Sequence, residues 1–278
     1  EGQPLVNHAG AETLPPGSIF KIITTAAGLN NGFDPSSTLT GSNVITLPDT
    51  VTELTNYDNQ KCNGQDAVTL QTAFALSCNT AFVEMSEQLG ADELRKYAKA
   101  FGVGENYDLG VSTSAGTLGD LPDGSATAQS VIGQRDVTMT ALQAAVMAGT
   151  VANKGTRMQP YLVNRITDAQ MKDVRTTKPK KADQAVNEET AATLTDLMYA
   201  SERSSWGYDG NGFASKTGTA EHGEGLAPHV WYVAFDPERD IAVGVVVKNG
   251  GNLGESATGG KVSGPIGRAI LRAYQGEQ

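Results

Sequence analysis

Apolar residues recur at intervals of three and four from Ser18 to Leu29, where Ile19, Ile22, Ile23, Ala26 and Ala27 share a face, and the run stops at Asn30-Asn31-Gly32. That pattern predicts a buried helix with a good C-terminal stop. A second helical stretch runs from Val68 to Leu89, interrupted around Ser77-Cys78-Asn79, and a third from Ala91 to Phe101 before Gly102. Residues 104 to 127 are rich in Gly, Ser, Thr and Asp without a period, and read as a long loop. Thr140 to Asn153 predicts a helix ending at Gly155, Tyr161 to Ile166 a strand, and Glu188 to Ala200 a helix capped by Asn187. Between these last two, the basic cluster Lys178, Lys180 and Lys181 reads as a solvated loop.

The last third changes character. Phe213 to Thr219, His229 to Phe235 and Ile241 to Lys248 are β-branched and aromatic runs, the last two joined by Asp236-Pro237-Glu238-Arg239, and they predict an antiparallel meander. Ile241 to Val247 has no polar member, so it should be covered on both faces, by the Ser18 helix and by a closing helix from Pro265 to Tyr274. The expected fold is α/β of the α+β kind: an antiparallel sheet sandwiched by helices, plus a helical lobe. One domain spans 1–278, with the helical lobe at about 32–155 and the sheet-containing lobe at about 1–31 and 156–278.

Composition narrows the chemistry. The 21 basic and 31 acidic residues give a net charge of -10, spread without long runs, which argues against nucleic acid or another polyanionic partner. No stretch approaches the roughly 20 apolar residues that span a bilayer, and no signal peptide opens the chain. Cys62 and Cys78 lack CxxC spacing, although they could make one bridge. His8, His222 and His229 have neither HExxH spacing nor nearby carboxylate clusters, so they read as surface or hydrogen-bonding residues. No metal and no cofactor is expected.

Three short motifs occur once each, in one order: Ser18-Ile19-Phe20-Lys21, Ser77-Cys78-Asn79 and Lys216-Thr217-Gly218. Singly, each has a bland reading as a helix cap, a helix-end cap or an exposed strand residue. Together they fit serine acyl transfer. On a helix, residues three apart share a face, so Lys21 can reach the Ser18 hydroxyl and take its proton. Pro15-Pro16-Gly17 puts Ser18 at the helix start, where free backbone N–H groups favour developing negative charge. Ser77 and Asn79 sit at a break between helices, from which side chains can point into a cleft. Gly218 removes a side chain from a strand along which an extended substrate could run.

The longer segments Leu14-Pro15-Pro16-Gly17-Ser18-Ile19-Phe20-Lys21, Ser77-Cys78-Asn79-Thr80-Ala81-Phe82, Ile132-Gly133-Gln134-Arg135-Asp136-Val137, Leu142-Gln143 and Lys216-Thr217-Gly218-Thr219-Ala220-Glu221 resemble class B penicillin-binding proteins. The actinobacterial elongation-type members are the most similar. The resemblance covers essentially the whole chain, including the strand with Trp231 and the Gly259-Gly260 segment before the last helix. It implies the penicillin-binding protein/serine β-lactamase-like fold and a peptidoglycan D,D-transpeptidase inhibited covalently by β-lactams. Ser18 would be the acylated nucleophile and Lys21, held neutral by burial and by Lys216, its base. Ser77 would relay a proton to the leaving amine, and Asn79 would hold the donor amide. Lys216, Thr217 and Thr219 would bind the terminal carboxylate, with the N–H groups of Ser18 and Thr219 as oxyanion hole.

The implied partners are stem peptides ending in D-Ala-D-Ala, β-lactam antibiotics and a membrane glycan polymerase. The implied place is the extracytoplasmic face of the cell membrane. Family members carry a membrane anchor, a non-catalytic domain and the first two strands of the sheet upstream, and these are expected outside this chain. In that compartment disulfides persist, so a Cys62–Cys78 bond is expected, two separate thiols being the alternative. Cys78 replaces the Asp of the S-D-N pattern and leaves the Ser and Asn roles intact. A G-x-S-x-G nucleophile elbow is missing, and Gly254 to Lys261 has one residue too many for a phosphate loop. A β-lactamase would need a deacylating glutamate, and no E-x-x-L-N loop is found. A D,D-carboxypeptidase and a β-lactam sensor domain remain alternatives.

Overall fold

A computed structural model describes residues 6–223 and 225–276. Its centre is a three-stranded antiparallel sheet in which His229–Asp236 lies between Ala214–Ala220 and Ile241–Val247. Trp231 stands opposite Gly218 on one side and Val246 on the other. The middle strand is buried at every position, because it has a hydrogen-bonded neighbour on each edge and helices over both faces. Helix Ser263–Gly276 covers one face.

The other face of Ile241–Val247 is covered by Ala141–Ala152, which the sequence reading grouped with the helical lobe. Gly244 explains the fit: a Cβ there would stand 2.5 Å from the Ala141 carbonyl oxygen and 2.6 Å from the Ala145 nitrogen. The helix carrying Lys21 goes elsewhere. Lys21–Leu29 packs between Asn79–Ala100 and Glu188–Ser204, while the turn Gly17–Phe20 before it lies on Ala214–Ala220. Every residue from Lys21 to Gly28 is buried, as expected for a helix apolar on nearly all sides.

Thr140 and Gln143 form a capping box at the start of Ala141–Ala152. The Gln143 amide also donates to the carbonyls of Gly102 (3.1 Å) and Ala115, which ties the long loop to the helix. Helix Gly124–Ser130 was missed: Asp123 caps it through the Ala126 N–H at 2.7 Å, but its small polar residues carry no apolar period. The short ladders Thr38–Thr40 with Ala67–Thr69, and Val44–Thr46 with Glu53–Thr55, were also missed.

The strand expected over Tyr161 to Ile166 is displaced. Strands run instead over Thr156–Gln159 and Arg165–Thr167, on either side of Pro160, which has no N–H for a ladder. Their partners are Lys180–Gln184 and Asp173–Thr176, so Lys180 and Lys181 are exposed on a strand rather than a loop. Among the described residues no helix is long and apolar enough to cross a membrane.

Cys62 and Cys78 form a disulfide with Cα atoms 5.7 Å apart. It binds the Cys62–Gly64 turn to the residue that starts helix Asn79–Ala100. Closing a loop of this size in the unfolded chain is worth about 3 kcal/mol. Thiol titration of denatured, unreduced protein should find no free thiol. Cys62→Ser paired with Cys78→Ser should lower unfolding stability by about 3 kcal/mol in urea titrations.

Candidate active site

Ser18 stands in the 3-10 turn Gly17–Phe20, which runs directly into Lys21–Leu29. Three residues make one turn of a 3-10 helix, so Ser18 and Lys21 lie on one face. Three distant segments fix this turn. Leu14 and Met139 exchange backbone hydrogen bonds of 2.9 Å, the Gly17 N–H donates to the Gly133 carbonyl at 3.0 Å, and Trp231 Nε1 donates to the Pro15 carbonyl at 2.8 Å. Gly218 completes the contact. A Cβ there would be 2.8 Å from the Pro16 oxygen and 3.2 Å from the Ile19 nitrogen, so its missing side chain makes room for the Ser18 turn. The sequence reading had assigned that space to substrate.

Helix Leu70–Leu76 ends at Ser77, whose φ of 62° and ψ of 39° are left-handed, and Asn79–Ala100 begins two residues later. Such a conformation costs a non-glycine residue on the order of 1 kcal/mol and aims the side chain out of the helical path. Two lysines meet there. Lys21 Nζ donates to the Ser77 carbonyl at 2.7 Å, to Ser77 Oγ at 3.3 Å and to Asn79 Oδ1 at 2.8 Å. Lys216 Nζ donates to the same Ser77 Oγ at 2.9 Å and to the Thr217 carbonyl at 3.0 Å. Ser77 Oγ therefore accepts on both lone pairs, and its own proton is left to point elsewhere.

Both lysines are fully buried. Burial, and then the Lys216 cation beside it, holds the Lys21 pKa well below the usual lysine value. Burial alone brings Lys216 down to about 7. The ring of Phe82 lies 5.2 Å from Lys21 Nζ and that of Phe74 5.7 Å from Lys216 Nζ, offering partial compensation through their π faces.

The hydrogen bonds of Lys21 thus run to Ser77 and Asn79, not to Ser18 Oγ. Ser18 is part-exposed, in the turn that leads directly into Lys21. Asn79 Nδ2 meanwhile donates to the Thr55 carbonyl at 3.2 Å, joining the cluster to strand Glu53–Thr55. Thr217 and Thr219, both half-buried, alternate along the strand with Lys216 and Gly218.

Sequence reading missed the support behind this strand. Glu202 is fully buried and accepts from Arg268 Nε at 2.6 Å, Asn211 Nδ2 at 2.9 Å, Tyr232 OH at 3.0 Å and Ser215 Oγ. Ser215 immediately precedes Lys216. One signal was available: Glu202 continues the buried face of Leu194 and Met198 at intervals of four, where a charge is out of place unless paired. The three histidines lie outside the cluster. His222 stacks on His229 with ring centres 4.0 Å apart, and His8 meets Glu12. Among the described residues no three His, Cys, Asp or Glu are placed to hold a metal.

Glu202→Ala strands the Arg268 guanidinium in the interior and should cost about 3–5 kcal/mol in urea unfolding. Adding Arg268→Met, which removes the stranded charge, should recover part of that loss.

Comparison with known proteins agrees with this geometry. The penicillin binding protein transpeptidase domain family matches residues 1–272. The peptidoglycan D,D-transpeptidase PbpA of Mycolicibacterium smegmatis is 45% identical over 97% of this chain and 57% of its own length. Penicillin-binding protein A of M. tuberculosis, solved as its ceftriaxone acyl-enzyme, superposes with a TM-score of 0.93 at 42% identity, covering 97% of this chain and 62% of that one. Its penicillin G acyl-enzyme gives a TM-score of 0.92, also at 42% identity, covering 98% of this chain and 63% of that one. The chain thus spans about three fifths of the length of these relatives. By sequence, by fold and by family match, it belongs to the penicillin binding protein transpeptidase domain family.

Proposed function

We propose that the chain is the catalytic domain of a peptidoglycan D,D-transpeptidase, acting outside the cell membrane through an ester on Ser18. The observation that carries this reading is the convergence of two buried, pKa-lowered lysines on Ser77, one turn from a part-exposed serine. Lys21, neutral, takes the Ser18 proton as Oγ attacks the carbonyl of the penultimate D-Ala. The oxyanion is met by the backbone N–H groups of Ser18 and Thr219. The C–N bond then breaks and the proton passes through Ser77 to the departing D-Ala. An acceptor amine attacks the ester, gives up its proton and restores Ser18.

Asn79 holds the donor amide in this scheme, exchanging its present contacts for the substrate. Lys216, with Thr217 and Thr219 along the same strand, receives the terminal carboxylate of stem peptide or β-lactam. The names of the relatives support the peptidoglycan substrate, and their acyl-enzymes support β-lactam capture. A membrane anchor upstream and a membrane glycan polymerase as partner complete the reading.

Incubation with penicillin should add one drug equivalent to the intact mass of the wild type and none to Ser18→Ala. Rapid loss of that mass with release of hydrolysed drug would mark a β-lactamase instead. On a D-Ala-D-Ala-like thioester, an added D-amino acid should appear in the product, whereas hydrolysis alone would mark a carboxypeptidase. Lys21→Arg keeps the charge but cannot accept a proton, and should slow acylation about 10²–10⁴-fold.

A separate pH test follows from the paired lysines. The Lys216 cation lowers the Lys21 pKa, so Lys216→Met should raise it. Residual acylation requires Lys21 unprotonated, and its rise with pH should then move to higher pH in stopped-flow profiles. An unmoved or downward-shifted limb would exclude Lys21 as the base.

A further inference from the structure

A cavity of about 390 Å³ opens between the 108–110 loop and the segment that follows helix Ala141–Ala152, and it shares no residue with the Ser18 cluster. Leu109, Leu162 and Val163 form its apolar wall, and Arg175, Lys178 and Lys180 line it with cations. Among the described residues none of these three cations has an acidic partner. The carboxylate on the wall, Asp108, accepts the N–H of Gly110 at 3.2 Å.

Two features set this region apart from the rest of the surface. Residues 160–181 carry six basic and two acidic side chains in a chain of net charge -10. The same stretch exposes Tyr161, Leu162, Val163, Ile166, Met171 and Val174, with Leu162 at 64% and Val174 at 66%. Clustered exposed apolar side chains mark an interaction surface. Lysines on an edge strand also discourage unwanted pairing, but that task does not need apolar neighbours.

The backbone adds a third feature. Among the described residues Asp173–Thr176 pairs with Arg165–Thr167 alone and Lys180–Gln184 with Thr156–Gln159 alone, so each strand keeps an unpaired edge, and Arg175 and Lys180 on these strands line the cavity. An extended peptide can join such an edge, sending alternate side chains to opposite sides. Carboxylates on one side would meet Arg175, Lys178 and Lys180, and apolar groups on the other would enter the wall of Leu109, Leu162 and Val163. A bilayer surface is flat and cannot enter a cavity between a loop and a hairpin.

We propose that this groove docks an extended segment of a partner protein in which acidic and apolar residues alternate. The site is separate from the Ser18 centre.

The test uses fluorescence anisotropy with a labelled synthetic peptide of alternating Glu and Leu. The expected result is saturable binding, weakened by added salt. Arg175→Glu with Lys178→Glu, and separately Leu162→Ser with Val163→Ser, should each weaken it about tenfold or more. A Lys/Leu peptide and a Glu/Ser peptide should bind about tenfold more weakly or not at all. Penicillin labelling of Ser18 should be unchanged in both double variants, which establishes that they are folded. Absence of saturable binding, or equal binding to wild type and variants, would overturn the proposal. So would binding to phosphatidylglycerol vesicles, lost in the same variants, when the peptide itself does not bind.

Discussion

Two lysine ammonium groups, both shut off from water, converge on the hydroxyl of Ser77, and no carboxylate among the described residues meets either one. Two like charges cannot both persist cheaply in such a pocket, so burial and the neighbouring Lys216 cation push Lys21 toward its neutral form. The fold around them serves that constraint. The helix breaks at Ser77 so that its hydroxyl can accept from both sides, and Phe74 and Phe82 give each lysine an aromatic wall instead of water. A carboxylate placed here would have paired with the cations and raised the Lys21 pKa.

The opposite face of the same strand solves the reverse problem. One residue before Lys216, Ser215 points the other way and donates to Glu202, whose carboxylate is satisfied by donors from the sheet, the preceding loop and the closing helix. A buried charge with this many partners is costly to disturb, and it resists sliding of the strand. Lys216 therefore reaches a crowded cationic pocket from a strand whose register is held from behind. Uncompensated charge stands on one side and fully compensated charge on the other.

Much of this was legible from residue order because the chemistry lies in short local patterns. The helix break at Ser77, the start of the Ser18 turn and the three strands follow from period and punctuation. What escaped was decided by tertiary contact. The helix covering Gly244 depends on which surface Ala141 can approach, and Gly218 is bare because a carbonyl from the Ser18 turn occupies the place of its side chain. Glu202 signalled only that it was misplaced, without naming its partners. The strand expected over Tyr161 to Ile166 overlaps the observed one only at Arg165 and Ile166, because the ladder with Asp173–Thr176 begins at Arg165, and strand partners are not written in a local run.

The fastening of Pro15 to Trp231 has a consequence for how the molecule comes into being. Those residues are 216 positions apart, and Ser77 and Lys216 are 139 apart. Contacts of such separation form late, after the entropy of closing long loops has been overcome. The Ser18 turn precedes both partners in the sequence, so neither the Trp231 anchor nor the Lys216 cation beside Lys21 is in place until the last third has folded onto it. Under the proposed function, reactivity is withheld from nascent and partly folded chains, and covalent labelling of Ser18 would count only molecules that have completed their topology.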